Sequence, residues 1–294
     1  MTTSMSRRLR RLLAEPGLRV SVGVYDCLSA KLAEQQGFEL VFTSGFGIAA
    51  TTLGMPDWGL LTATEMLDRV RHLVRAVAVP VVADLDTGYG NPLNVMRTVR
   101  EAVEAGVAGI LLEDQEWPKK CGHFDGKRVI STAEHVEKIR AAVQARGESE
   151  LVIIGRTDAR AEFGLEDAIQ RGRAYQAAGA DVIFIEAPQA EGELEAIAQA
   201  LPDVPLFANL IEGGKTPPVS VATLERLGFK LAVFALAGLF SASGALADCF
   251  RRIRQEGTSG PLQERLALKD FEALIGVEDY RRLERAFATA APPR

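Results

Sequence analysis

One sequence motif recurs four times along this chain: a predicted helix ends in glycine, and an apolar strand follows at once. The segments are residues 36–42, 105–112, 178–184 and 227–233. Glycine readily adopts the left-handed conformation that closes a helix. A nearly continuous apolar run after it is typical of a strand that is buried on both faces. The repeat therefore predicts an α/β chain with a parallel sheet covered by helices.

Four more apolar runs bring the number of predicted strands to eight. They are residues 18–24, 79–83, 151–155 and 204–208. Amphipathic stretches typical of helices lie between strands, such as residues 65–77, 94–104 and 166–178. Eight strands favour a closed (β/α)8 TIM barrel, with residues 1–294 as a single domain, over an open sheet. The functional site is then expected in the loops after the carboxyl ends of the strands.

Segments outside the barrel are predicted at both ends of the chain. Residues 1–17 read as a leading helix, because Leu9, Leu12 and Leu13 have helical spacing. The Arg-rich, acid-free start also fits a targeting peptide, but the leading helix is the favoured interpretation. Residues 238–294 exceed what one barrel needs and read as a helical segment. Packing on a neighbouring subunit and folding back on the same barrel are both compatible with this pattern.

Composition excludes several classes of partner. The balance of 34 basic and 39 acidic residues leaves a mild negative charge, without a basic tract interleaved with aromatic residues, so nucleic acid is not expected. No apolar run approaches the roughly 20 residues that cross a bilayer, so no membrane partner is expected either. Three cysteines without paired spacing favour a reducing compartment, and the predicted location is cytoplasmic.

Acidic residues end two of the predicted strands. Asp84 and Asp86 follow the apolar run 77–83, and Glu113 ends the run 107–112. Residues two apart on a strand share a face, so both aspartates project together. An all-oxygen set without nearby His or Cys spacing suits Mg²⁺, or Mn²⁺, better than Zn²⁺. The alternative is that these acids cap the following helices or bond to loops.

A cysteine lies in the longest predicted connection, residues 115–130. Two lysines and a histidine in residues 119–123 surround Cys121 and favour its thiolate, and Gly122 lets the backbone approach a substrate. Long loops in compact domains are usually functional. This segment therefore predicts a lid whose Cys121 gives and takes protons near neutral pH. A chance surface thiol is the alternative.

Other predicted strand ends carry polar residues or glycine. They are Ser44, Gly45, Arg156, Glu186, Asn209 and Glu212. Ser44 and Gly45 can offer backbone N–H groups to a carboxylate, and Arg156 can bind or polarise an oxyanion. Each such residue is more often a cap or a salt-bridge partner than a ligand contact. Their convergence on one face of the barrel is what predicts a site.

Five motifs together resemble the isocitrate lyase and phosphoenolpyruvate mutase superfamily. They are residues 84–90, 112–115, 119–123, 156–159 and 209–217, and the similarity runs from about Arg8 to Gly257. The resemblance implies a (β/α)8 barrel whose last helix is exchanged between the subunits of a dimer. It also implies that such dimers usually pair, so a homodimer or homotetramer is expected.

The same resemblance implies roles for individual residues. Asp84 would be the direct Mg²⁺ ligand, Asp86 and Glu113 would hold the ion through water, and Asp57 matches another acid of that site. Ser44 and Gly45 would bind a pyruvate-like carboxylate, and Arg156 would contact the reacting end of the substrate. The residues that would complete the pocket are Gly122, His123, Glu186, Asn209 and Glu212.

The cysteine-bearing lid resembles the carbon–carbon lyase branch. Such lyases cleave a 2-hydroxy dicarboxylate or tricarboxylate to pyruvate, or another 2-oxo acid, plus a carboxylate whose carbanion Cys121 would protonate. Phe240 stands where 2-methylisocitrate lyases carry an Arg for a third carboxylate. A 2,3-dialkylmalate is therefore favoured over a 2-methylisocitrate type of substrate, because an apolar ring cannot pair a buried charge.

Several alternatives remain open on the sequence. A carboxyphosphonoenolpyruvate phosphonomutase also carries a Cys-Gly-His lid. Oxaloacetate hydrolases typically have Ser where these lyases have Pro, and Ala235 matches neither. A nicotinamide-dependent oxidoreductase, suggested by residues 45–50, lacks the acid that ribose recognition needs. A non-catalytic metabolite-binding relative is the last alternative.

Overall fold

Eight parallel strands close into a barrel in a computed structural model that describes residues 4–260 and 265–288. The strands are β1 Arg19–Val24, β2 Val41–Thr43, β3 Val81–Asp84, β4 Gly109–Glu113, β5 Val152–Thr157, β6 Val182–Ile185, β7 Leu206–Leu210 and β8 Leu231–Phe234. Each strand pairs with its neighbour in sequence, and Arg19 of β1 pairs with Leu231 of β8 to close the ring. The predicted (β/α)8 barrel is confirmed.

Helices connect the strands and follow the last one. They are α1 Met5–Ala14, α2 Cys27–Gln35, α3 Gly45–Leu53, α4 Ala63–Ala76, α5 Pro92–Ala105, α6 Thr132–Arg146, α7 Arg160–Phe163, α8 Leu165–Ala177, α9 Glu191–Ala200, α10 Val221–Leu227, α11 Ala237–Glu256, α12 Leu268–Leu274 and α13 Val277–Phe287. The predicted helices 65–77, 94–104 and 166–178 correspond to α4, α5 and α8, with ends within two residues.

Local sequence signals set where these helices begin and end. The glycines of the repeated motif all have positive φ, between 84° and 106°; they are Gly37, Gly106, Gly179 and Gly228. Thr62 caps α4 and forms a capping box with Glu65. Asn91 caps α5, whose first residue is Pro92. Helix and strand boundaries are therefore encoded locally, which is why the sequence pattern located them.

Helix α1 covers the amino-terminal end of the barrel. Leu9, Leu12 and Leu13 are buried in one apolar cluster with strand residues such as Phe42 and Ile154. The Arg10 guanidinium donates to Asp181 just before β6 and to backbone carbonyls before β5. The opposite end, where the strands finish, is left to the connecting loops.

The chain divides into two compact units, Met1–Phe240 and Ser241–Arg294. The second unit contains most of α11 together with α12 and α13, and it exposes large apolar side chains such as Phe250, Leu268 and Phe287. The predicted end segments, 1–17 and 238–294, include residues 1–3, 261–264 and 289–294, which lie outside the described residues. Within the described part of the chain, no helix is long and apolar enough to cross a membrane.

A tight contact closes the barrel between β1 and the end of β8, and it generates a stability prediction. A Cβ atom on Gly23 would overlap the Ala235 carbonyl oxygen and lie 2.6 Å from its carbonyl carbon. Because backbone cannot move aside cheaply, Gly23→Ala should lower the free energy of unfolding by about 1–3 kcal/mol. Urea unfolding measures the change.

Gly192→Ala is the matched control, because nothing lies within 4 Å of a Cβ atom at that position in α9. This variant should be neutral or gain up to about 1 kcal/mol from helix propensity. Equal unfolding midpoints for the two variants would contradict the packing argument.

Candidate active site

The strand carboxyl ends surround a pocket that gathers most of the predicted site residues. Ten of the thirteen line it: Ser44, Gly45, Asp57, Asp84, Cys121, Gly122, His123, Arg156, Glu186 and Asn209. Asp86 and Glu113 are buried within ion-pair distance of residues that line this pocket. Glu212 lies apart, since its side chain is exposed and lines a neighbouring cavity with Pro217 and Val219. The role of Glu212 stays a prediction.

A lysine ammonium lies among the acids. Lys119 Nζ is 2.6 Å from Asp57 Oδ1 and 2.6 Å from Asp86 Oδ1, and its side chain is buried. The sequence interpretation used Lys119 only as a neighbour of Cys121 and missed this position. A count of the charges predicted for the site could have pointed to a second buried cation, because Arg156 was the one predicted basic partner for several buried acids.

The carboxylates are short of positive charge despite this lysine. Burial raises the pKa of Asp86 to about 6, and it also raises the pKa of Asp84. Burial raises the pKa of Glu113 well above its usual value, and Glu113 Oε1 has no hydrogen-bond partner in the part of the chain described. A further cation would favour the ionised forms of all three carboxyl groups.

This cluster fits a hard divalent cation. Its donors are all oxygen, and a Cβ atom on Gly45 would lie only 2.9 Å from Asp84 Oδ2, so glycine leaves that carboxylate open. Among residues 4–260 and 265–288, no group of three His, Cys, Asp or Glu side chains is close enough to hold an ion directly. Mg²⁺ suits such a cluster, because it retains several waters and needs few direct protein ligands.

Arg156, the second cation of the pocket, is fixed by three carboxylates. Its guanidinium donates to Asp158 with Nε at 2.8 Å, and it lies 3.3 Å from Glu113 and 3.2 Å from Glu186. Burial opposes its charge, but Asp158, Glu113 and Glu186 together raise its pKa well above the usual value. The group is therefore a permanent, oriented cation that can bind a carboxylate or an oxyanion.

The Cys121 thiol differs electrostatically from the sequence expectation. Burial raises its pKa to about 11, so the expected thiolate is wrong for this arrangement. The flanking lysines are engaged elsewhere: Lys119 pairs with Asp57 and Asp86, and Lys120 Nζ lies 5.3 Å from the centre of the Trp58 ring. The thiol is therefore protonated near neutral pH, the state that a proton donor requires.

Gly122, the residue after Cys121, lets the predicted lid segment come close to the barrel. A Cβ atom on Gly122 would lie 2.5 Å from Arg156 Nη2 and 2.6 Å from the Glu186 Cγ and Cδ atoms. The neighbouring His123 accepts from the Lys215 N–H with Nδ1 at 2.9 Å. Its Nε2 therefore carries the hydrogen and faces Glu186 Oε1 at 3.1 Å. The predicted lid segment thus meets both the barrel and the loop that follows β7.

The start of α3 provides backbone donors at the pocket. Ser44 caps this helix, with Oγ accepting from the Gly47 N–H, and the Ser44 N–H donates to the Val24 carbonyl. The expected Ser44 N–H donor is therefore already used. Gly45 is the first residue of α3, and N–H groups at a helix start attract anions.

The sequence matches the model of the phosphoenolpyruvate phosphomutase family over residues 9–254. The chain belongs to this family. The superfamily resemblance that the motifs indicated is thereby confirmed.

Named relatives of this family member have several activities. A 2,3-dimethylmalate lyase of Eubacterium barkeri is 44% identical over 96% of this chain and 98% of its own. A carboxyvinyl-carboxyphosphonate phosphorylmutase of Arabidopsis thaliana is 41% identical over 98% of this chain and 86% of its own. A 2-methylisocitrate lyase of Bacillus subtilis is 39% identical over 98% of this chain and 95% of its own.

Solved structures of the superfamily superpose closely on this member. An oxaloacetate acetylhydrolase bound to 3,3-difluorooxalacetate has a TM-score of 0.93 at 35% identity, covering 98% of this chain and 99% of its own. A 2,3-dimethylmalate lyase also has a TM-score of 0.93, at 34% identity, covering 99% and 98%. A phosphonopyruvate hydrolase in complex with oxalate and Mg²⁺ has a TM-score of 0.86 at 31% identity, covering 97% and 99%.

The carboxylate cluster generates a prediction about metal binding. Asp84→Asn should weaken Mn²⁺ binding by on the order of 100-fold or more, because removing even an outer partner of a metal ligand typically costs 10–100-fold. Electron paramagnetic resonance of free Mn²⁺ measures this affinity without any substrate. Metal-free Asp84→Asn should be at least as stable as the parent at pH 7, because a buried carboxylate whose pKa is raised is costly to ionise.

The exposed acid Asp68 supplies the control, and Asp68→Asn should bind Mn²⁺ like the parent. If Asp84→Asn keeps the parental affinity, Asp84 is not a metal ligand.

Proposed function

We propose that this protein is a Mg²⁺-dependent carbon–carbon lyase that cleaves a 2-hydroxy dicarboxylate of the 2,3-dialkylmalate type. The products would be pyruvate, or another 2-oxo acid, and a carboxylate. The observation that carries the proposal is the Cys121 thiol buried in the same pocket as Arg156 and Asp84, where burial raises its pKa and favours the protonated form. A thiol in that state can protonate a carbanion formed between the carboxylate cluster and the arginine.

The proposed reaction is a retro-aldol cleavage. The 2-hydroxyl group would give its proton to a carboxylate of the buried cluster, which later returns it to water. The C2–O bond becomes a carbonyl as the bond between C2 and C3 breaks, and the electron pair of that bond goes to C3. Asp84, Asp86 and Glu113 would hold Mg²⁺, directly or through water, and the ion would supply Lewis-acid stabilisation of negative charge on the substrate. The Gly45 N–H at the start of α3 would bind the C1 carboxylate, and the Arg156 guanidinium would stabilise charge at the leaving carboxylate.

Cys121 would complete the reaction by giving its proton to C3. Burial that holds the thiol in its protonated form supports this role, because the donor must be neutral before the bond breaks. The proton transfer leaves a thiolate beside the Arg156 cation. Opening of the lid would then return the thiol to water, from which it regains a proton.

An aromatic wall supports the dialkyl substrate. The Phe46 ring centre lies 6.3 Å from that of Phe124 in the lid and 6.5 Å from that of Phe240. Ile211 and Leu236 add apolar surface to the same pocket. A third carboxylate beside these rings would lose its water without gaining a cation, whereas alkyl substituents would gain apolar contact.

A homodimer or homotetramer is part of the proposal. The exposed apolar residues of α11, α12 and α13 support an exchanged helical segment, because large apolar areas usually mark interaction surfaces. Location in the cytoplasm stays a prediction.

A substrate panel tests the proposed reaction. With Mg²⁺, 2,3-dimethylmalate should give pyruvate with a kcat/KM at least about 10-fold above that of 2-methylisocitrate, because one unpaired buried charge costs more than a factor of ten. Lactate dehydrogenase detects the pyruvate. Phe240→Arg should move the preference towards 2-methylisocitrate, whereas Leu93→Arg, at an exposed apolar position of α5, should not.

Two results on the same panel would contradict the lyase proposal. Oxalate formation from oxaloacetate as the dominant activity would indicate a hydrolase. Consumption of carboxyphosphonoenolpyruvate, followed by ³¹P nuclear magnetic resonance, would indicate a phosphonomutase.

The role of Cys121 gives a kinetic prediction. Cys121→Ser is nearly isosteric, but a hydroxyl group gives up its proton far less readily than a thiol. Loss of an acid–base residue typically lowers kcat by about 10²–10⁴-fold, with little change in KM when the proton moves only in the chemical step. Steady-state kinetics on the best substrate measures both values. Cys27→Ser at the start of α2 is the control and should keep the parental kcat.

A Cys121→Ser enzyme with unchanged kcat would mean that the thiol only shapes the lid.

A further inference from the structure

A second lysine of the lid is buried away from the carboxylate cluster. Lys127 lies near the carboxyl-terminal end of the lid, residues 115–130, and its side chain is 1% exposed. Its Nζ atom is 2.6 Å from Asp158 Oδ1, and it also donates to the Gly122 carbonyl. One ammonium group therefore joins three parts of the protein: the first half of the lid at Gly122, the second half of the lid at Lys127 itself, and the segment after β5 at Asp158.

Asp158 connects this lysine to the substrate arginine. Its two carboxylate oxygens accept from Arg156, with Oδ2 at 2.8 Å from Nε and Oδ1 at 3.0 Å from Nη2. The Asp158 N–H donates to Asp114 Oδ1 at 2.9 Å, which fixes the carboxylate relative to the end of β4. Lys127 and Arg156 thus share one rigid carboxylate, and neither cation can shift without changing a bond of the other.

The contact between Lys127 and Gly122 lies next to the proposed proton donor, Cys121. The Gly122 carbonyl that Lys127 holds belongs to the residue directly after Cys121, and Gly122 itself approaches Arg156 so closely that no side chain fits there. Burying an ammonium group costs several kcal/mol unless it is paired and hydrogen-bonded. In the closed arrangement both conditions hold, whereas a lid that swings away separates Lys127 or Gly122 from Asp158.

We propose that Lys127 is a positioning residue that latches the lid. It holds the Cys121–Gly122 peptide against Asp158, and so fixes the Cys121 thiol and the Arg156 guanidinium relative to one another without touching substrate. The kinetic part of this inference rests on the proposed lyase function, whereas the closure of the lid does not.

Lys127→Met tests the latch, since methionine has similar length but no charge or donor. Hydrogen exchange should speed up by roughly 10- to 100-fold at the Lys120, Cys121 and Phe124 amides, which are bonded within the closed lid or to Asp57. That range corresponds to losing one buried hydrogen bond to a charged group. The measurement is made on the ligand-free protein and again with Mg²⁺ plus oxalate, so that it needs no turnover.

Kinetics separates positioning from a purely structural role. Lys127→Met should lower kcat/KM on the best substrate by roughly 10- to 100-fold, with a fall in kcat, because the thiol is no longer held for proton transfer. Lys127→Arg keeps the charge and should recover part of this loss. Arg128→Gln is the matched control, because Arg128 is the next residue of the lid and its exposed side chain pairs with the solvent-accessible Glu116. It should behave like the parent in both measurements.

The inference is overturned if lid exchange in Lys127→Met equals that of the parent, or if only the melting temperature falls while kcat per folded molecule is unchanged. Lys127→Gln replaces Lys127→Met if the latter does not fold. If the parent enzyme is inactive on the whole panel, the lyase proposal is rejected. The hydrogen-exchange measurement alone then tests whether Lys127 latches the lid. An active parent with an unprotected lid in both proteins would reject the latch alone.

Discussion

The whole site depends on an excess of negative charge buried at the carboxyl ends of the strands. Asp57, Asp84, Asp86, Glu113 and Glu186 are all buried, and each buried ion costs several kcal/mol unless it is paired. Lys119 and Arg156 supply two positive charges against these five acids, and burial raises the pKa values of Asp84, Asp86 and Glu113. That deficit explains why the pocket suits a divalent cation. The glycines at positions 45 and 122 serve the same arrangement, because they let a helix start and a lid come close to the charges.

The barrel could be predicted because its signals are local. Each of the four glycines in the repeated motif has the positive φ that ends a helix. A strand that is buried on both faces is apolar along its whole length, wherever it lies in the chain. Strand-end position then brought six of the predicted residues to one pocket: Ser44, Gly45, Asp84, Arg156, Glu186 and Asn209. Glu212 shows the limit of that rule. It lies beyond the end of β7, in a turn next to Gly213, which has a φ of 71°, so the alternation of side chains along a strand no longer predicts its direction.

The chemistry of individual groups could not be predicted in the same way, because neighbours in sequence are not neighbours in space. Lys119, two residues from Cys121, turns to Asp57 and Asp86 instead of the thiol. Burial then governs the Cys121 pKa and reverses the expected protonation state. Lys127 and Asp158 lie 31 positions apart in sequence, and no local pattern announces their contact. Pairs of this kind become visible only when the loops are placed on the barrel.

The pairing of β1 with β8 also has a consequence for how the chain reaches this fold. Arg19 meets Leu231, so the barrel cannot close until nearly all of its sequence is available. At synthesis rates of about 5–20 residues per second, a nascent chain would carry β1 without that partner for roughly 10–40 seconds. During this interval the apolar edges of the first and latest strands have no covering strand, and unpaired edges promote aggregation. The tight approach of Gly23 to Ala235 cannot form before β8 has been synthesised, so it is among the last contacts that a chain folding during translation can make.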